Sequence, residues 1–244
     1  MLETLIFSFS FVILALIVIY KEELGFGKEV LIAEILALVQ LIILGYVINL
    51  IFSLGMIYAM AMVLAMIVVA SFIVKRNLNM DKLNREIIIS SFLSILTTAT
   101  ISLVILLFSK TIALEPRYII PLMGMVVGNS TNVISLSLDR LLNDLKSNKD
   151  VLWGYLALGA TEKQAVQPFI KKAIRSALTP QLNTAKAVGV IFIPGAMVGM
   201  LLSGIDPLYA SKIQITIMWM VMSSAIISSL MACYLVSKSF IYKL

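Results

Sequence analysis

Five residues of one apolar stretch, Gly124, Gly128, Asn132, Ser135 and Asp139, recur at steps of four, four, three and four. At about 100° per residue, a helix carries all five on one face. Met125 and Thr131 join that face, and Asn129 stands within the stretch. Polar side chains are expensive against lipid, so such a face must meet protein or water. Two readings are open. In the first, the face is a packing surface, with Asn and Ser as hydrogen bonders between helices. Gly124 and Gly128 form a GxxxG, as do Gly195 and Gly199, and that spacing permits close helix approach. In the second, the face lines a path for a polar solute. Its candidate lining is then Met125, Gly128, Asn129, Thr131, Asn132 and Ser135, with Met197 and Met200 from a later span. Pro194-Gly195 can loosen that span and free backbone carbonyls, which is tolerated only where protein or a cavity covers them. Either a transport hinge or a packing kink fits the pair.

Other chemistry is thinly represented. The chain has no histidine, and Cys233 is its one cysteine. The commonest neutral-pH base and the commonest metal ligand are therefore missing, and an intrachain disulfide is impossible. The 14 methionines are soft ligands better suited to Cu(I) than to iron, and Met more often fills irregular gaps between helices. No metal site is convincing on this composition. A metal in transit would be held weakly or carried in a complex. Gly25-Phe26-Gly27-Lys28-Glu29 lacks the spacing and the hydroxyl residue of a GxxxxGK[ST] phosphate loop. Glu34, Gln40 and Asn49 share no helix face, and no carboxylate lies deep enough in a span to suggest a proton relay.

The elements that must position these residues are membrane helices. Of the 244 residues, 61% are hydrophobic and only 13% are charged, and mean hydropathy is +1.04. A soluble domain carries roughly a quarter charged residues. Seven candidate spans follow, at 4–20, 30–51, 55–74, 87–108, 117–138, 187–203 and 213–236. The alternative is six helices plus a half-inserted segment at the Pro/Gly-rich sixth position. Phe52-Ser53-Leu54 alone separates the second and third spans, which predicts a tight hairpin. The first run has an acid, Glu3, where a signal peptide is basic, and it is read as a retained helix. The net charge of +6 reflects short loops between spans and not a nucleic-acid surface. With the N-terminus outside and the C-terminus inside, only Lys110, Arg117 and Lys212 of the 19 basic residues remain outside. Residues 1–244 then form a single transmembrane domain in the plasma membrane, multi-pass and surrounded by lipid.

The one long connection, about 139–186, is predicted to be a cytoplasmic helical loop. Gly159 suits the left-handed residue that ends a first short helix. Thr161 and Gln164 match a capping box that starts a second. Val166, Phe169, Ala173, Ile174 and Ala177 recur at helical spacing, with Lys171, Lys172 and Arg175 on other faces. Such an amphipathic helix can lie on the membrane surface, and Pro168 is placed to kink or unwind its start. The pair of helices either anchors the loop to lipid or forms a compact knob that docks in a partner's groove.

Three stretches carry a resemblance. They are Pro116–Arg140, PRYIIPLMGMVVGNSTNVISLSLDR; Leu156–Asn183, LALGATEKQAVQPFIKKAIRSALTPQLN; and Ile193–Met218, IPGAMVGMLLSGIDPLYASKIQITIM. Leu156–Ala160 with its capped helix resembles the coupling segment of ABC-transporter permeases. The three together resemble the FetB (YbbM)-type iron-export permeases, a family that includes a plant aluminium-tolerance permease. The family usually has an acid and an alanine where Trp153 and Gly154 stand, often has Met at Thr131, and often has Met-Met-Thr-Gly-Gln at Ala196–Met200. The resemblance implies an ATPase-coupling surface at Trp153, Leu156, Ala157, Gly159, Ala160, Thr161 and Gln164. It also implies two copies of this chain with two cytoplasmic P-loop ATPase subunits, which hold ATP and Mg²⁺, and export of iron or another metal. The alternative function is a secondary transporter or channel for a small solute that works without an ATPase. A membrane enzyme ranks last, for want of His and of a clustered acid–base pair.

Overall fold

The computed structural model describes residues 7–78, 83–110 and 112–241. The protein is an all-α membrane protein. Among the described residues the only β feature is an isolated bridge between Val188 and Phe192. The chain divides into two compact units, Met1–Gly55 and Met56–Leu244.

The first unit holds α1 (Ser10–Lys21) and α2 (Gly27–Leu54), packed on each other as a hairpin. Its turn passes through Gly25 at φ 80°. Most of its described Leu, Ile, Val and Phe side chains are exposed, as expected of helices solvated by lipid. The run expected at 4–20 is the helix Ser10–Lys21, and residues 1–6 lie outside the described residues. Gly55, at φ 97°, stands between α2 and the next helix, so the break falls after Phe52-Ser53-Leu54.

The second unit holds α3 (Met56–Leu78), α4 (Asn84–Phe108), α5 (Pro116–Ser147), α6 (Lys149–Ala157), α7 (Glu162–Ala187), α8 (Gly195–Leu202) and α9 (Pro207–Ile241). Among the described residues five helices, α2, α3, α4, α5 and α9, are long and apolar enough to cross a bilayer. In the second unit α5 is the hub, packing on α3, α4, α7 and α9. Close packing comes from small residues. α4 buries Ser90, Ser91, Ser94, Thr98 and Ala99, and α9 buries Ser224, Ala225, Ser228, Ser229 and Ala232. In lipid this substitutes for the hydrophobic drive that helix association has in water. Most of these hydroxyls bond a carbonyl on their own helix, as Ser90 does to Glu86, Thr98 to Ser94 and Ser135 to Thr131.

The two helices expected within 139–186 are present with their break at Gly159. Two details are corrected, the first being helix length. α5 runs 32 residues to Ser147, about 48 Å, which exceeds a hydrocarbon core of about 30 Å. α7 then turns back along it. Lys172 pairs with Asp144 at 3.0 Å, and Gln181 reaches Asn129, so α7 descends α5 antiparallel. α7 is 26 residues long and packs on both α5 and α9, burying Ala165, Val166, Ile170, Ala173, Ala177 and Leu178. It is a member of the bundle and not a surface helix. Its apolar stripe, legible in the sequence, packs on helices and not on lipid. Pro168 and Pro180 both lie within it without ending it.

The second correction concerns 187–203. This segment is not one spanning helix. α7 ends at Ala187, a tight loop passes Gly189 at φ 78°, and Gly189 N–H donates to the Phe192 carbonyl at 3.0 Å. Pro194 then caps α8, which has eight residues and is about 12 Å long, too short to cross. The Pro/Gly pair breaks the apolar run because proline lacks the N–H that would continue the helix behind it.

The unit's core continues into the ends of α5, α6, α7 and α9. Leu138, Leu141, Leu142, Leu145, Leu152 and Val236 are fully buried there. Lys163 Nζ stands 5.5 Å from the Tyr234 ring centroid, closing the same end. This end collects Arg140, Lys146, Lys149, Lys163, Lys171, Lys172 and Lys238. Leu145→Ala is expected to lower unfolding free energy by about 2–5 kcal/mol in a denaturant titration of the detergent-solubilised protein. A change under about 1 kcal/mol would show that this end is loosely packed.

Candidate functional site

Two features stand out: a knob at the basic end and a polar seam between α5 and α7.

The knob is α6, a turn, and the start of α7. Gly159 sits at φ 87°, and its N–H donates to the Leu156 carbonyl while Ala160 N–H donates to Tyr155. These two bonds form a Schellman ending, which needs the left-handed residue that glycine supplies without strain. Thr161 then caps α7. Gln164 N–H donates to Thr161 Oγ1 at 3.3 Å, and Thr161 N–H donates to Gln164 Oε1 at 2.8 Å. The capping box is therefore complete. Leu152, fully buried, and Leu156, half-buried, hold α6 to the core. Trp153, Ala157, Gly159, Thr161 and Gln164 are exposed, and Ala160 is half-buried. Leu158 at the tip is 89% exposed, and Tyr155 is exposed beside it. Sequence reasoning passed over both, although an apolar Leu directly before a turn glycine was a visible signal. The knob is thus a rigid turn that presents apolar side chains at a basic end.

The seam begins on the α5 face read from spacing. Asn129, Asn132, Ser135 and Asp139 line a cavity of about 530 Å³ with Asn77 of α3 and Ala177, Pro180 and Gln181 of α7. Asn77 Nδ2 donates to Ser135 Oγ at 3.4 Å. A second cavity of about 450 Å³ lies among α5, α7 and α9, lined by Asn129, Gln181, Thr184, Gln214, Trp219 and Val221 among others. Asn129 and Gln181 line both. Asn129 Nδ2 donates to the Val221 carbonyl at 3.1 Å, and Gln181 Nε2 donates to Asn129 Oδ1. One run of hydrogen bonds therefore ties α7 to α5 and α5 to α9 where the two cavities meet. Gln181 Oε1 and Gln214 Oε1 are buried without a partner.

The remaining candidates are spread out. Thr131 is buried, bonds the Val127 carbonyl and lines neither cavity. Met125 is exposed on α5, and Gly128 is exposed near it. Met197 and Met200 are half-buried on α8, which packs on α9, so they are not brought to the seam. Pro194 caps α8 and Gly195 is its first residue. A Cβ added at Gly124, Gly128, Gly195 or Gly199 would meet nothing within 4 Å, so neither GxxxG makes a close helix contact inside this chain. Asn77, the adjacent pair Pro180-Gln181 and Gln214 were missed, since they lie on three separate stretches with no shared pattern. Among the described residues no group of three His, Cys, Asp or Glu is placed to hold a metal ion.

Comparison with known proteins adds the following. Residues 2–241 match an uncharacterised protein family, UPF0014. The chain is 36% identical over 241 residues to the "Probable iron export permease protein FetB" of Escherichia coli strain K12, covering 98% of this chain and 91% of that one. It is 39% identical over 151 residues to "Protein ALUMINUM SENSITIVE 3" of Arabidopsis thaliana, covering 62% of this chain and 55% of that one. It is also 39% identical over 121 residues to the "UPF0014 membrane protein YjkA" of Bacillus subtilis strain 168, covering 50% and 48%. No solved structure matches the chain.

Thr161→Ala is expected to destabilise the start of α7 by about 1 kcal/mol, read as faster amide hydrogen exchange at Gln164. Unchanged exchange there would mean that the capping box does not hold the knob.

Proposed function

The chain belongs to the UPF0014 family, and we propose that it is the permease subunit of an ABC transporter that exports iron or another metal. The observation that carries this reading is the knob. A spanning protein has little use for a stapled apolar turn at its basic end unless another protein receives it. Trp153, Tyr155 and Leu158 are large side chains of the kind that anchor protein interfaces, and the Schellman ending and capping box hold them in one geometry. α6 and the start of α7 are joined through buried leucines to α5, so force on the knob passes into the helix that lines both cavities.

The rest of the reading follows from this. The basic end faces the cytoplasm, where positive loops are retained. The docked partner is a P-loop ATPase that holds ATP and Mg²⁺, because this chain has no GxxxxGK[ST] loop of its own. Two permease chains pair in the bilayer, and the open glycine faces at Gly124 and Gly128 suit close approach by a second copy. The metal assignment draws on the E. coli relative, whose printed name is that of an iron-export permease. ATP-driven closure of the partner would move the knob, rock α7 about Pro180, and open the seam between α5 and α7.

The test uses the complex. The double variant Gly159→Glu, Ala160→Lys is expected to abolish co-purification with the P-loop ATPase and ATP-dependent metal transport, while eluting as a single species like the parent. Retention of both binding and transport would overturn the proposal.

A further inference from the structure

α7 turns one side to the bundle and the other away from it, and the second side is basic. Val166, Ile170, Ala173 and Ala177 are buried. At about 100° per residue, Arg175, Thr179, Asn183 and Lys186 fall on the opposite side, and all four are exposed. From Lys163 to Ala187 the helix carries Lys163, Lys171, Lys172, Arg175 and Lys186 and no acid. Lys172 is paired with Asp144, whereas Arg175 and Lys186 form no ion pair among the described residues.

The register of α7 on α5 sets the depth of these residues. Between Arg117 and Asp139 α5 holds no charged residue, and that stretch is about 33 Å long, enough for one hydrocarbon core of about 30 Å. Gln181 meets Asn129, which lies about 18 Å from Arg117. Lys186 is only about 8 Å further along α7 in that direction, so it stands about 10 Å inside the hydrocarbon. Its Cα–Cβ bond tilts toward the start of α7, and snorkelling to the nearer headgroups works against that tilt. A lysine at that depth, exposed on its own chain, needs water or a counter-charge. Arg175 stands near the level of Asp139, at the other mouth of the same stripe.

Under the permease reading, a second copy faces this side. A two-fold pair sets basic stripe opposite basic stripe. Like charges of the two copies cannot close on each other in a dry contact, so the gap must hold water and favour anions. Rings of lysine and arginine select anions in pores on the same principle. We propose that Arg175, Thr179, Asn183 and Lys186 line a water-filled path between two copies of this chain, and that this path carries an oxygen-rich anion. A metal using it travels as a negatively charged complex, its carboxylate or phosphate ligands turned to the arginine and lysine. The inference deepens the permease reading and rests on it.

Cys233 is the chain's one cysteine and is buried, so an added cysteine reports alone in a Cys233→Ala background. In the full-length Asn183→Cys chain in liposomes, the ratio of anionic to cationic methanethiosulfonate reaction rates is expected to exceed that of free cysteine by about tenfold. Adding Lys186→Gln is expected to cut that preference about fivefold. Manganese citrate or inorganic phosphate is expected to halve the anionic rate, and the arm that does so names the ligand class. Labelling without charge preference, a preference unmoved by Lys186→Gln, or slowing by neither anion overturns the proposal. So does an Asn183→Cys chain that reacts with neither reagent, since lipid or packed protein would then cover the stripe. If that variant does not fold, Thr179→Cys is read in its place by the same criteria. A bifunctional thiol reagent is expected to join two such chains, and monomer alone after that treatment defeats the placement between copies. Co-purification with the P-loop ATPase is measured on the parent chain. Charge-selective labelling where the parent binds no ATPase supports the path while defeating the transporter reading. Labelling without selectivity where the ATPase is bound defeats the path alone.

Discussion

A polar group placed in hydrocarbon must find a partner or water, and the second unit is organised by how α5 meets that demand. α5 carries Asn129, Asn132, Ser135 and Asp139 on one side, and such a face is costly against lipid. Packing covers it in part: Ser135 is buried, Asn129 and Asp139 are half-buried, and Asn132 stays exposed. The Gln181–Asn129 bond and the Asn129–Val221 bond fasten α7, α5 and α9 together where a purely apolar contact would give no register. The two cavities lie to either side of this fastening.

The second consequence is mechanical. α5 is continuous from Pro116 to Ser147, and Leu141, Leu142 and Leu145 lock it to its neighbours beyond the polar region. α6 and the Gly159 turn are mounted on that locked end. Any force applied to the knob would act first on α5 and α7, and Pro180 is where α7 lacks a backbone N–H. The α5 stretch that fastens the helices is the one that lines the cavities.

Much of this was legible in the sequence. The spacing of Asn132, Ser135 and Asp139 placed them on one face, and the structure puts them in one cavity. Gly159, Thr161 and Gln164 announced their turn because a left-handed glycine and a capping box are local, satisfied within a few residues. α7 was misjudged for a physical reason. A span is recognised by apolar residues all round, and α7 carries Lys171, Lys172 and Arg175 on an exposed polar side. Its small buried residues, Ala165, Ala173 and Ala177, were the sign of helix packing. The segment 187–203 was misjudged in the opposite sense, since apolar content alone cannot show that Gly189 and Pro194 break the helix. Gln181 and Gln214 could not be found by pattern. Each is a single amide on its own helix, and only tertiary packing joins them. Thr131 shows the converse: it is buried and lines neither cavity, so polarity alone does not place a residue in the seam.

The measurement that bears most directly on the central claim is metal movement in inside-out vesicles that contain this chain and the proposed P-loop ATPase. The account predicts uptake of metal into the vesicles that requires ATP and requires both proteins. Metal movement down its gradient with this chain alone, indifferent to ATP and to the ATPase, would contradict it.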